Sequence, residues 1–201
     1  MAEKTFATQI VDDLDDTEIK KFVTEKLNSR LKRNPKPSGR WDRLVPCSYY
    51  TFGTDEVGYL VLVDDETDKI IYFVRHKRVK ANGVHLGRQV LVWRDPLSAA
   101  SRGFAEYIFF NHLLPKYTSL ISDQHQTRNG AAFWQKMLEL AFKKRKNVYF
   151  LDRRATPNRL THLKSMLEIH KLTPDLWGRS EGHKRTFAII SQSRLQLIPK
   201  S

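Results

Sequence analysis

Val90-Leu91-Val92-Trp93 is followed, after a short bend, by Ala100-Ser101-Arg102-Gly103-Phe104-Ala105. The first four residues read as the end of a strand. The next six read as a small-residue turn that opens a helix reaching about Leu114. Beyond it the pattern predicts a strand over 119–122, a helix over about 128–144 and a strand over 147–151. A small-residue turn opening a helix straight after a strand leaves backbone N–H groups facing outward. The helix dipole adds partial positive charge there, so the turn suits a phosphate-bearing ligand.

Upstream, 57–63 and 69–74 read as two strands joined by Asp64-Asp65-Glu66-Thr67-Asp68, a polar hairpin turn. A third strand over 84–93 follows the turn dipeptide Asn82-Gly83. Together they predict an antiparallel meander. At the N-terminus, 6–11 reads as a short strand. Asp15 with Glu18 has capping-box spacing, and Ile19, Phe22, Val23 and Leu27 recur at helical spacing. The acids of 12–18 fit capping and solvation, since no histidine or spaced carboxylate pattern accompanies them.

In the helix after Gly103, His112 shares a face with Ala105, Ile108 and Phe109 and reads as a core residue, and Pro115 is expected to end that helix. Phe133, Met137, Leu140 and Ala141 line the next helix. Its basic end, Lys143-Lys144-Arg145-Lys146, complements the C-terminal dipole before it needs a ligand. Thr156-Pro157-Asn158 is expected to start another helix, with Leu160, Leu163, Met166, Leu167 and Ile169 on its apolar side. A loop over 173–182 and a strand over 186–191 complete the reading.

The chain has 201 residues, 40% of them apolar and 11% aromatic, enough for a sizeable core in one domain over 1–201. No apolar run approaches the roughly 20 residues of a membrane span. The first residues carry no apolar signal segment. One cysteine, Cys47, excludes an internal disulfide framework and a paired-cysteine zinc site. A cytoplasmic setting and no membrane partner are the expectation. A net charge of +13 implies attraction to polyanions, whether nucleic acid, an anionic cofactor or an acidic protein.

Two basic clusters are candidates for nucleic acid. The Pro-rich loop over 30–43 supplies Arg30, Lys32, Arg33, Lys36 and Arg40, with Trp41 placed to stack a base. Alternatively, Trp41 folds back onto the core and the loop is simply solvated. The second cluster, 75–80, adds Arg75, Lys77 and Arg78.

The order meander, helix, strand, helix, strand, late strand resembles the GNAT superfamily of acyl-CoA-dependent N-acyltransferases. Ala100-Ser101-Arg102-Gly103-Phe104-Ala105 resembles the Gly-x-Ala half of that family's pyrophosphate turn, with Ala100 where Gln or Arg is usual. Thr127-Arg128-Asn129-Gly130-Ala131-Ala132-Phe133-Trp134 resembles its Asn-x-x-Ala-x-x-Leu-Tyr helix motif, with Trp134 in place of tyrosine. The stretch from Ser122-Asp123 to Trp134 is also similar to small GNAT-like proteins of bacteriophages.

The resemblance implies an α/β (α+β) domain with a mixed central sheet, flanked by helices and splayed between its fourth and fifth strands. It implies acetyl-CoA or another acyl-CoA as cofactor. Trp93, Ser101, Arg102, Gly103, Phe104, Ala105 and Trp134 would contact it, with pyrophosphate on the amides of about Arg102 to Ala105. Trp134 has only an indole N–H and cannot protonate a thiolate leaving group as a tyrosine would. Asp95, Ser122, Asp123 and His125 are the candidates for proton handling. Asp95 before Pro96 is equally a turn element, and Asp123 equally a loop cap. The implied activity is acyl transfer to an amine of a polyanionic or nucleic-acid-associated acceptor. The alternative is a non-catalytic module on the same scaffold that binds nucleic acid or inhibits a protein.

Overall fold

The structure, a computed structural model, describes residues 36–54, 56–81, 84–95, 97–123, 128–177 and 185–195. The strand expected over 6–11, the helix containing Ile19, and Arg30, Lys32, Arg33 and His125 lie outside the described residues. The chain is mixed α/β with a mostly antiparallel open sheet. It divides into two compact units, one of Met1–Lys77 with Val90–Ala105, the other of Arg78–Gln89 with Glu106–Ser201.

The first unit holds β1 (Gly39–Arg40), β2 (Cys47–Gly53), β3 (Val57–Asp64) and most of β4 (Lys69–Ala81), in the order β1-β2-β3-β4. All three pairings are antiparallel. β3 and β4 run from Val57 opposite Lys77 to Asp64 opposite Lys69, the expected hairpin. Asp64 caps its turn by accepting the Glu66 N–H at 2.9 Å. Leu60, Val61, Leu62, Tyr72, Phe73 and Val74 are buried, and Phe104 joins them with no exposed surface. The run of buried residues on both faces explains why these strands read as continuous apolar stretches.

The second unit takes the end of β4 and the start of β5 (Val84–Arg94). It adds β6 (Ser119–Ile121), β7 (Asn147–Asp152), β8 (Arg159–Leu163) and β9 (Thr186–Ser191). The order is β4-β5-β6-β9-β7-β8, so the last strand of the chain lies between β6 and β7. β5 and β6 are parallel, with Gly87 opposite Leu120 and Arg88 opposite Ile121 among the described residues. β9 is antiparallel to both of its neighbours. Leu86, Ile121, Tyr149, Leu151, Phe187 and Ile189 form one buried cluster.

α1 (Phe104–Ile108), a π-helical turn (Phe109–Leu113) and α2 (Leu114–Tyr117) are continuous. α3 (Arg128–Lys143) and α4 (Met166–Trp177) are the longer helices. Pro115 does not end its helix as expected. The preceding π turn carries the Leu114 N–H back to the Phe109 carbonyl, and Pro115 sits at the start of a new α turn, where a missing N–H costs nothing. Residues 159–163 are also a correction. They form β8, paired along β7 from Val148–Leu163 to Asp152–Arg159, and the helix begins only at Met166. The loop expected from 173 begins later, because α4 runs through Pro174 to Trp177.

Candidate anion-binding turn

The turn that carries Gly103 belongs to the first unit. Asp95 builds its approach: its N–H donates to the Ile71 carbonyl at 3.0 Å and its carboxylate accepts the Leu97 N–H at 3.0 Å. Asp95 is thus the turn element of the two readings offered. The Arg102 N–H then donates to the Ala99 carbonyl and the Phe104 N–H to the Ser101 carbonyl, each at 3.0 Å. The Ser101 hydroxyl donates to the Ser98 carbonyl at 3.4 Å. Gly103 has a φ of 82°, a left-handed conformation that any side chain would strain.

This corrects the expectation of an amide-lined cradle from Arg102 to Ala105, because two of those amides already bond within the turn. The aromatic packing explains why. Phe104 anchors the turn, its ring 5.3 Å from Trp41, 5.9 Å from Tyr49 and 5.3 Å from Tyr72. Trp41 donates its indole N–H to the Ala100 carbonyl at 3.0 Å. The reading of Trp41 as folded onto the core therefore holds over base stacking. Trp93, at the end of β5, is buried in the same unit.

Trp41 also fixes a cation beside the turn. The Arg43 guanidinium lies 5.1 Å from the Trp41 ring centroid, and a Cβ on Gly103 would stand 3.1 Å from Arg43 Nη1. Arg43 and Arg102 are both exposed. The Arg43 guanidinium beside this left-handed glycine, with exposed Arg102 next to it in the chain, can hold a phosphate through charge-assisted hydrogen bonds. Arg43 escaped the sequence reading as a turn residue, because nothing local connects position 43 to position 103. Its signal was its place beside Trp41.

The other candidates lie in the second unit. The Ser122 hydroxyl accepts the Ala188 N–H at 3.0 Å, and the Ser122 N–H donates to the Ala188 carbonyl at 2.9 Å. Ser122 therefore fastens β9. Asp123 Oδ1 is 3.7 Å from Arg88 Nη1. Burial lowers the Arg88 pKa and Asp123 opposes that, while the guanidinium rests 5.5 Å from the Phe187 ring centroid. Trp134 is buried edge-on to Phe109, 5.5 Å between centroids, as a core residue. His112 is half-buried, which lowers its pKa.

The basic clusters change meaning. Arg40 pairs with Asp42 at 2.9 Å and with Asp65 at 3.4 Å, so its charge is met locally. Lys36 is exposed. Arg75 is 2% exposed inside β4, and Lys77 and Arg78 are half-buried. The surface cluster expected at 75–80 is thus part of a strand that continues to Ala81, with Lys80 exposed, and Arg75 offers no phosphate contact at the surface. Cys47 is buried, which pushes its thiol up to about 11 and removes it as a nucleophile at neutral pH. No group of three potential metal ligands occurs among the described residues. No helix among them is long and apolar enough to cross a membrane.

No family model, curated protein or solved structure matches the chain.

Proposed function

We propose that this chain binds an acyl-CoA on a GNAT-like plan and transfers the acyl group to an amine. The observation that carries the reading is the parallel pair. Among the described residues β5 and β6 pair in parallel through Gly87 with Leu120 and Arg88 with Ile121. An antiparallel meander followed by a parallel strand is the element order that the GNAT-like plan implies. The left-handed Gly103 at the start of α1 adds to it. The pyrophosphate falls to the guanidinium groups of Arg43 and Arg102, since the amides of Arg102 and Phe104 are engaged.

Titration calorimetry with acetyl-CoA tests this. The expected outcome is binding by micromolar protein, weakened about tenfold or more in Arg43→Ala, the loss of a charge-assisted contact. Release of free thiol with an amine acceptor present then reports turnover. Absence of binding to the wild-type chain overturns the reading.

A second reading, binding without turnover, is favoured by Trp134. It is an indole packed in the core where the resemblance calls for a phenol. In that case acetyl-CoA binds and no thiol is released with any amine or nucleic acid offered.

A further inference from the structure

One end of the second unit gathers basic residues from three separate elements. The Thr118 carbonyl, just past α2, accepts the Gln192 N–H at 2.9 Å. Asn147 Nδ2 donates to the Gln192 carbonyl at 3.4 Å. Ser119 and Asn147 both stand in register with Ser191. Lys116 precedes Thr118, the Lys144-Arg145-Lys146 turn precedes Asn147, and Arg194 follows Gln192. Lys116, Lys144, Arg145 and Arg194 are exposed and Lys146 is half-buried. Among the described residues none of the five has a carboxylate partner. Lys143, by contrast, is paired with Glu139 at 2.6 Å.

The helix dipole does not account for this gathering. It favours cations in the last turn of α3, but Lys116 and Arg194 come from elsewhere. Arg145 is the more telling residue. The Lys146 N–H bonds back to the Ala141 carbonyl at 2.8 Å and the Arg145 N–H to the Phe142 carbonyl at 2.9 Å. That is a Schellman closure with Arg145 at its left-handed position, φ 52°. Glycine belongs there on stability grounds. Here the left-handed position carries a cation instead of glycine.

We propose that Lys116, Lys144, Arg145, Lys146 and Arg194 form a docking surface for the phosphate backbone of a duplex nucleic acid. The proposal is independent of the acyl-CoA reading. The chemistry selects the partner. Among the described residues the exposed large apolar side chains are Leu44, Val92 and Leu97 in the first unit and Leu167 in α4, none of them on the segments that carry the five cations. Among the described residues it therefore lacks the anchor of a protein interface, whose centre is depleted in lysine, and the apolar face that inserts into a bilayer. Phe110 and Tyr117, the rings under Lys144 and Lys116, are buried, so no base can stack on them as in single-strand binding. Lysines and arginines alone suit contacts to phosphates irrespective of sequence.

Fluorescence anisotropy with 20-base-pair DNA and RNA duplexes, run from about 25 to 200 mM salt, tests the surface. Wild type should bind with a log–log salt slope of about −4.5, since each neutralised phosphate contributes roughly 0.9. Replacing all five cations by alanine should cost about 100-fold at low salt. Arg145→Gly should flatten the slope by about 1 while raising the melting temperature, a pairing that damage to the fold cannot produce. Acetyl-CoA titration of the same variants should match wild type, which separates this surface from the Gly103 turn. No duplex binding at low salt, an unchanged slope in the fivefold variant, or equal binding to polyglutamate overturns the proposal.

Discussion

Gly87 sits in β5 where Tyr117 packs across the strand. A Cβ there would collide with the Tyr117 ring, whose face also meets Arg78 at 6.0 Å from its centroid. Gly87→Ala should therefore cost about 1–3 kcal/mol, the range for forcing extra carbon into a packed core. Urea unfolding of the variant measures it, and an unchanged midpoint would refute the crowding. Gly103 differs, because its neighbours are the movable tip of Arg43 and the edge of Trp41. Its left-handed backbone is the constraint there. At this scale the chemistry of the turn was half legible. The glycine could be read from its neighbours in the chain. Arg43 could not, because its approach depends on Trp41 reaching the Ala100 carbonyl.

Among the elements, strands with apolar runs were legible and those defined by their neighbours were not. β3, β7 and β9 are buried along most of their length, and their sequences say so. β8 carries Leu160 and Leu163 three apart, which mimics a helix face; only hydrogen bonding to β7 makes it a strand. β4 continues through Arg75 and His76, both buried, where charged side chains argue for a surface. α4 is tied to β7 by Arg154, which reaches Asp152 at 2.8 Å and Asp175 at 2.7 Å. The Arg154 hydrogen bond holds the Asp152 pKa below its ordinary value. A carboxylate lowered on folding adds stability above its unfolded pKa of about 4 and loses it as pH falls through the folded value. Arg154 is 38% and Asp175 40% exposed, so the gain is small. Arg154→Ala should cost about 1 kcal/mol at pH 7. The difference from wild type should shrink below about pH 4 in urea titrations. A gap that persists at pH 3 would assign the loss to packing instead.

Across the whole molecule, the excess of 35 Lys and Arg over 22 Asp and Glu was plain in the composition, but its placement was not. Arg40 spends its charge on neighbouring aspartates, and Arg75 is interior. Exposed cations with no carboxylate partner among the described residues stand instead at the Gly103 turn, as Arg43 and Arg102, and at one end of the second unit. That a parallel pair follows the meander was legible as element order. The register of the pair was not, because it depends on both strands. The division into units carries its own consequence. The chain leaves the first unit after Lys77, returns at Val90 and leaves again after Ala105. No single cut in the chain yields both units intact, so a truncation at any one point removes part of at least one of them.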